Sequence, residues 1–202
     1  MFGALALGVT LPTFLLRRLE NTYPTPHLLI VLMAVVEELA QAAIAWGTFE
    51  NLRSRPTGLR TLFQISIRRS VPVIGLSIVY TVGTALGFIA LIFPAFMAAT
   101  TWFVAMPACV VEETGPIASL RRSVQLTKGY RWKVFSVVLI IAIIDLPSGI
   151  PALVRSNFGF VVVPIWHAAA LAFESVLMAV VYHDLRVAKE GSDTWRIASV
   201  FE

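Results

Sequence analysis

Charge is the first thing this sequence is short of. Only 14% of its 202 residues are charged, against 57% hydrophobic, and the mean hydropathy is +0.80. A soluble domain has roughly a quarter of its residues charged. A chain this poor in charge cannot cover a surface that faces water, so it reads as an integral membrane protein. Cysteine is scarcer still. Cys109 stands alone, which excludes an internal disulfide and any multi-cysteine metal site. It reads as a small packing residue. Histidine occurs at His27, His167 and His183, with no HxH or HxxxH spacing. Metal-assisted hydrolysis needs carboxylates, and usually His, converging on a cation. No GxGxxG, Walker or GxSxG sequence is present. Thr127-Lys128-Gly129 has no glycine loop to cradle a phosphate. His183-Asp184 reads as a polar pair at a helix exit. These absences lead to the expectation of a non-enzymatic protein without metal or cofactor.

What is present is a series of apolar blocks. They predict spans over about 2–16, 27–49, 71–92, 95–111, 132–145 and 158–182. The expected fold is an all-α membrane protein, a single polytopic domain over 1–202 with about six transmembrane helices in three hairpins. The first block has no basic residue before it, as a cleaved signal peptide normally would, so it reads as a retained helix. The two prolines of Thr22–Pro26 predict a turn. Phe93-Pro94 divides an apolar stretch too long for one helix, and a single kinked helix is the alternative. Asp145-Leu-Pro-Ser-Gly closes the fifth block, and the run from His183 is a polar exit.

Between the blocks lie two amphipathic segments, over about 58–70 and 116–129. In the first, Arg60, Gln64 and Arg68 recur every four residues, with Leu59, Leu62 and Phe63 on another side. In the second, Pro116 sits where a missing N–H is harmless and Gly129 is a natural C-cap. Ile117, Leu120 and Val124 form an apolar side, with Arg121, Gln125 and Lys128 opposite. Tyr130 and Trp132 mark the next boundary, as interfacial aromatics do. Arg60, Arg68, Arg69, Arg121, Arg122, Lys128, Tyr130 and Trp132 are therefore expected to contact the membrane surface or a partner. The net charge of +4 serves lipid headgroups rather than nucleic acid.

Segments 50–70, 112–133 and 184–202 hold thirteen of the sixteen Lys and Arg residues. The positive-inside rule then predicts that these segments and both termini are cytoplasmic. Arg17-Arg18 runs against this pattern.

Ser66-Ile-Arg-Arg-Ser-Val71 recurs as Ser119-Leu-Arg-Arg-Ser-Val124, an offset of 53 that also separates Pro94 from Pro147. The repeating unit would be a surface helix followed by a hairpin, in parallel relation. The bland alternative is that helices beside membranes draw on few residue types.

The run from Val110 to Phe135 carries a further likeness. Pro107, Val110-Val111-Glu112, Arg122-Ser123, Leu126-Thr127-Lys128-Gly129 and Trp132 stand in an order and spacing that continue to Ile92-Phe93-Pro94 on one side. On the other they continue to Tyr182-His-Asp-Leu-Arg186 and Lys189-Glu190-Gly191. The pattern resembles the bacterial membrane-protein family known as the membrane domain of glycerophosphoryl diester phosphodiesterase, close to the YciC-like proteins. That resemblance covers roughly 48–191. It implies a multi-pass protein of the bacterial inner membrane with three helical hairpins and surface helices, and implies little about activity. Glu37, Glu38 and Glu174 are not part of the family's pattern.

Those acids are the unusual chemistry. Glu37 and Glu38 lie near the middle of one span and Glu174 near the middle of another. A charge at the bilayer centre costs ~2.5–3.5 kcal/mol on insertion scales. Gln41 shares a stripe with Ala34, Glu38 and Ala45, suited to facing another helix, and His167 lies two turns before Glu174. One reading is structural, with neutral carboxyls hydrogen-bonded to Gln41, to each other or to a partner. The other is a proton or cation site between helices. The chain is thus expected to be an accessory subunit, scaffold or assembly factor binding membrane lipids and another membrane protein. The alternative is a small transporter of lipid or solute. The discriminating feature is Glu38 and Glu174: lining a water-filled cavity would favour transport, and lying dry against a partner would favour the subunit.

Overall fold

The computed structural model describes residues 27–55, 58–90, 92–149 and 157–191. The expected span over 2–16, Arg17-Arg18 and the turn at Thr22–Pro26 lie outside these, as does the end of the polar exit.

All regular structure among the described residues is helical. The helices are α1 (His27–Leu52), α2 (Leu59–Arg68), α3 (Ser70–Ala90), α4 (Ile92–Trp102), α5 (Ala105–Val111), α6 (Pro116–Thr127), α7 (Arg131–Asp145) and α8 (Asn157–Glu190), with a 3₁₀ turn at Leu146–Gly149. Three stretches among them are long and apolar enough to cross a membrane: Ser70–Gly87, Pro94–Val111 and Val162–Glu190. The first is only 11% buried within the protein, so its Val71, Ile78, Val82 and Leu86 face outward, as lipid-facing side chains do.

Three element boundaries depart from the sequence reading. The block over 95–111 breaks at Phe103-Val104 into α4 and α5. The last span does not end at Tyr182. α8 runs on through the polar exit to Glu190, because no residue before Gly191 interrupts it and Arg186 pairs with Glu190 one turn on. The second amphipathic helix stops at Thr127, and Gly129 takes the left-handed conformation, φ 92°, that lets the chain turn into α7.

The break falls just before Phe93-Pro94, which lie in the first turn of α4, and the chain reverses between α3 and α4. A Cβ placed on Gly87 would lie 3.0 Å from the backbone of Ala95. In one continuous helix those residues would be about 12 Å apart, so α3 and α4 fold back against each other through their small residues. The kinked-helix alternative is thereby set aside.

The two Ser-x-Arg-Arg-Ser-Val segments sit differently in their helices: 66–71 crosses the break between α2 and α3, and 119–124 lies within α6. α2 packs on α1, and α6 packs on α5. In each, the second arginine of the pair turns inward to an acid. Arg69 pairs with Glu113, and Arg122 Nε donates to both carboxylate oxygens of Glu112, at 2.8 and 3.0 Å. Ser66 and Ser119 are both buried. Glu113 is fully exposed, and its hydrogen bond and attraction to Arg69 hold the carboxyl below the usual carboxylate range. Any stabilisation from that pair is present above the unfolded-state pKa and fades as pH falls through the lower folded value.

Arg122 also pairs with Glu190, Tyr182 donates to Glu112 Oε1 at 2.8 Å, and Lys189 donates to the carbonyl of Gln125. These contacts bring 69, 112–113, 122–125 and 182–190 to one end of the bundle. Below them the core is apolar. Phe49, Leu126, Val134 and Tyr182 form one cluster, and Ala42, Val73, Cys109 and Leu120 another. Cys109 is fully buried there.

Candidate functional site: an acid-lined cavity between helices

Helical spacing puts Ala34, Glu37/Glu38 and Gln41 on one side of α1. The same spacing puts His167, Leu171, Glu174 and Met178 on one side of α8. α1 and α8 pack side by side, sealed by Ile44 against Ala168 and Leu171. The two polar stripes therefore meet, and they leave space between them. Two adjoining cavities lie between them.

The outer cavity, about 160 Å³, is lined by Ala34, Glu37, Glu38, Gln41, Asp145, His167, Leu171 and Glu174. His167 Nε2 lies 3.8 Å from Glu37 Oε1. At its rim the Trp166 indole donates to the Ile144 carbonyl at 2.8 Å, fixing α8 to the end of α7 that carries Asp145. The inner cavity, about 220 Å³, shares Glu38, Gln41 and Glu174 with the outer one and adds Ser77, Tyr80, Trp102, Phe103 and Met106. Tyr80 and Trp102 rings stand 6.1 Å apart and form an aromatic wall. Each volume has room for several waters, and polar groups line both.

Among the described residues no Lys or Arg lines either cavity, while Glu37, Glu38, Asp145 and Glu174 do. The field inside thus favours cations and disfavours anions. Among the described residues no group of His, Cys, Asp or Glu is placed to hold a metal ion. The arrangement can hold a proton shared between carboxyls, or a cation seated against carboxylates and aromatic faces.

Of the residues singled out from sequence, Glu37, Glu38, Gln41, His167 and Glu174 come together here. The cationic set divides. Arg60, Arg68, Arg121, Lys128 and Trp132 are exposed, while Tyr130 is half-buried with Lys133 Nζ 5.5 Å from its ring centre. Arg69 and Arg122 are held in ion pairs within the protein. Sequence reasoning missed Ser77, Tyr80, Trp102 and Asp145. Ser77 and Tyr80 had a signal, since they lie three apart near the middle of an apolar span. Asp145 had been read only as the end of its span. No family model, no curated protein and no solved structure matches this chain.

Proposed function

We propose that this chain is a non-enzymatic, multi-pass membrane protein that passes a proton or small cation between its helices. The observation that carries the reading is the pair of cavities sharing Glu38, Gln41 and Glu174. Intramembrane carboxylates that face a polar cavity mark ion and proton pathways. Purified protein in liposomes, driven by a potassium diffusion potential, should change the pH of a trapped dye. Glu174→Gln and Glu38→Gln should each slow that flux about tenfold, because neither amide can release a proton. Equal flux in all three proteins, or none above empty liposomes, would end the proposal. Glu38→Lys should be worse than Glu38→Gln, impairing insertion or assembly, since the helix would then carry an ammonium group into the bilayer before the acids of the other helices are in place to meet it.

A second reading, that of an accessory subunit, scaffold or assembly factor, is favoured by the outward face of α3, where Val71, Ile78, Val82 and Leu86 are exposed. Its test is mass spectrometry of what stays bound after gentle detergent extraction. Recovery of lipid alone would count against it. The resemblance to the glycerophosphoryl diester phosphodiesterase membrane domain supports placing the protein in a bacterial inner membrane, with six spans in three hairpins.

Orientation belongs to the same proposal. Support comes from the meeting of 69, 112–113, 122–125 and 182–190 at one end, the end rich in Lys and Arg. That end would be cytoplasmic, with both termini. Ser119 is fully buried and unsuitable for labelling, whereas Ser54, Gln125 and Leu146 are exposed. In a Cys109→Ala background, Ser54→Cys and Gln125→Cys should resist an impermeant thiol reagent in intact cells, and Leu146→Cys should react. The reverse pattern would invert the protein.

A further inference from the structure

The repeated Ser-x-Arg-Arg-Ser-Val segment ends α2 and lies in the middle of α6, and the two surface helices that carry it present different faces. α6 buries its apolar residues. Leu120 and Leu126 are inside, Ser123 donates to the Thr101 carbonyl at 2.7 Å, and Ile117 is the one large apolar side chain it exposes. α2 is apolar on two sides. Leu62 is fully buried against α1, and Ser66 donates to the Leu39 carbonyl at 3.2 Å. These contacts fix the helix's rotation, so its other side is not free to turn inward. On that side Leu59, Phe63 and Ile67 are exposed, and Val71 at the start of α3 continues the stripe at the same four-residue interval. Ile67 and Val71 are 69% and 79% exposed, far beyond what a water-facing surface would leave uncovered over four such residues in a row.

What covers the stripe follows from its surroundings. It runs into the outward face of Ser70–Gly87, a stretch apolar enough to cross a membrane, with only Arg69 between the two helices. The exposed Arg60 and Arg68 flank the stripe, and the sequence has no acidic residue between Glu50 and Glu112. An apolar stripe with cations and no acids fits an anionic lipid surface and repels no part of it. Its counterpart α6 leaves Arg121 exposed but has Arg122 and its helix end committed to Glu112, Glu190 and Lys189.

We propose that the two repeated segments have divided their roles: α2 is a lipid-docking helix that seats Leu59, Phe63 and Ile67 in an anionic headgroup layer, and α6 is a protein-docking helix. α2's stripe buries the apolar side chains, while Arg60 and Arg68 meet lipid phosphates. Together the two cations favour the docked arrangement by on the order of thirtyfold.

The test uses the whole protein in nanodiscs, Cys109→Ala, with an environment-sensitive fluorophore on Phe63→Cys or on Arg121→Cys. One set of discs is phosphatidylcholine alone, and the other contains a quarter phosphatidylglycerol. Each carries a nitroxide quencher at shallow acyl depth. The label at 63 should be quenched at least twofold more than the label at 121. Phosphatidylglycerol should increase quenching at 63, and Arg60→Gln with Arg68→Gln should abolish that increase. Equal quenching at the two positions would overturn the division of roles. Quenching at 63 indifferent to phosphatidylglycerol would overturn anionic lipid as the occupant. A label at 63 shielded from both the lipid quencher and aqueous iodide would mean that protein, such as a second copy of this chain, covers the stripe.

Discussion

Gly87→Leu will open the hairpin between α3 and α4. Even a Cβ at this position would lie 3.0 Å from the Cα and N of Ala95. Backbone cannot rotate away as a side-chain tip can, so the helices must part, and every contact along their seam weakens. Overpacking of a close seam costs about 1–3 kcal/mol and occasionally more, and a leucine here belongs at the upper end. Gly83 lies one turn away, and a Cβ there would meet the Trp102 ring at 2.6 Å, so the seam has no slack on either side. Parting it also moves Trp102 away from Tyr80 and enlarges the inner cavity. Thermal unfolding in mild detergent should show a loss of stability for Gly87→Leu. Val82→Leu, on the exposed side of the same helix, should stay within about 0.5 kcal/mol of the parent. If both variants melted alike, the close approach would not exist.

Arg122→Ala is the second large effect. The Arg122 and Glu112 side chains are 24% and 19% exposed, so both charges are largely withdrawn from water and depend on each other. Removing one partner of a fully buried pair costs about 3–5 kcal/mol. With the solvent access seen here, about 2 kcal/mol is expected. The loss should be local: hydrogen exchange should speed up in α6 and in the last turns of α8, which Arg122 ties together through Glu190. Glu112→Gln with Arg122→Met should recover most of the loss, because it removes both charges. Tyr182→Phe, which deletes one hydrogen bond to Glu112, should cost about 1 kcal/mol. The matching pair in the first repeat behaves differently. Glu113 is exposed, and Glu113→Ala should leave stability unchanged. A double-mutant cycle giving the same coupling for Arg69–Glu113 and Arg122–Glu112 would contradict this account.

That asymmetry shows where sequence legibility stopped. Punctuation was readable. Pro116 opened α6, Gly129 signalled a stop two residues past its last helical residue, and Phe93-Pro94 signalled a break close to the one between α3 and α4, because each acts on its own backbone. The α1 stripe of Ala34, Glu38, Gln41 and Ala45 was readable too, since helical spacing is a property of one element. Partners across elements were not. Nothing local distinguishes Arg122, which turns to Glu112, from its neighbour Arg121, which faces out. The choice depends on the rotation of α6 against α5 and α8. Asp145 was hidden for a related reason: at the end of one helix it looks like a stop, and it becomes part of the cavity only when α7 lies against α8. The end of α8 was misjudged because polarity was taken for termination, whereas the helix runs on until Gly191, which takes a left-handed conformation, φ 58°.

The unbroken run of α8 has a mechanical consequence. Between Glu174 and Glu190 it contains neither glycine nor proline, so that portion moves as a stiff lever about 24 Å long. Its fulcrum is the Tyr182 hydroxyl on Glu112. Glu174 stands eight residues, about 12 Å, to one side, and Arg186 and Glu190 stand on the other. A tilt of about 10° at the outer end would swing the Glu174 backbone by about 2 Å, enough to make or break a carboxyl's hydrogen bonds. Whatever grips Arg186 and Glu190 thus has a direct mechanical hold on the acid at the centre of the cavity.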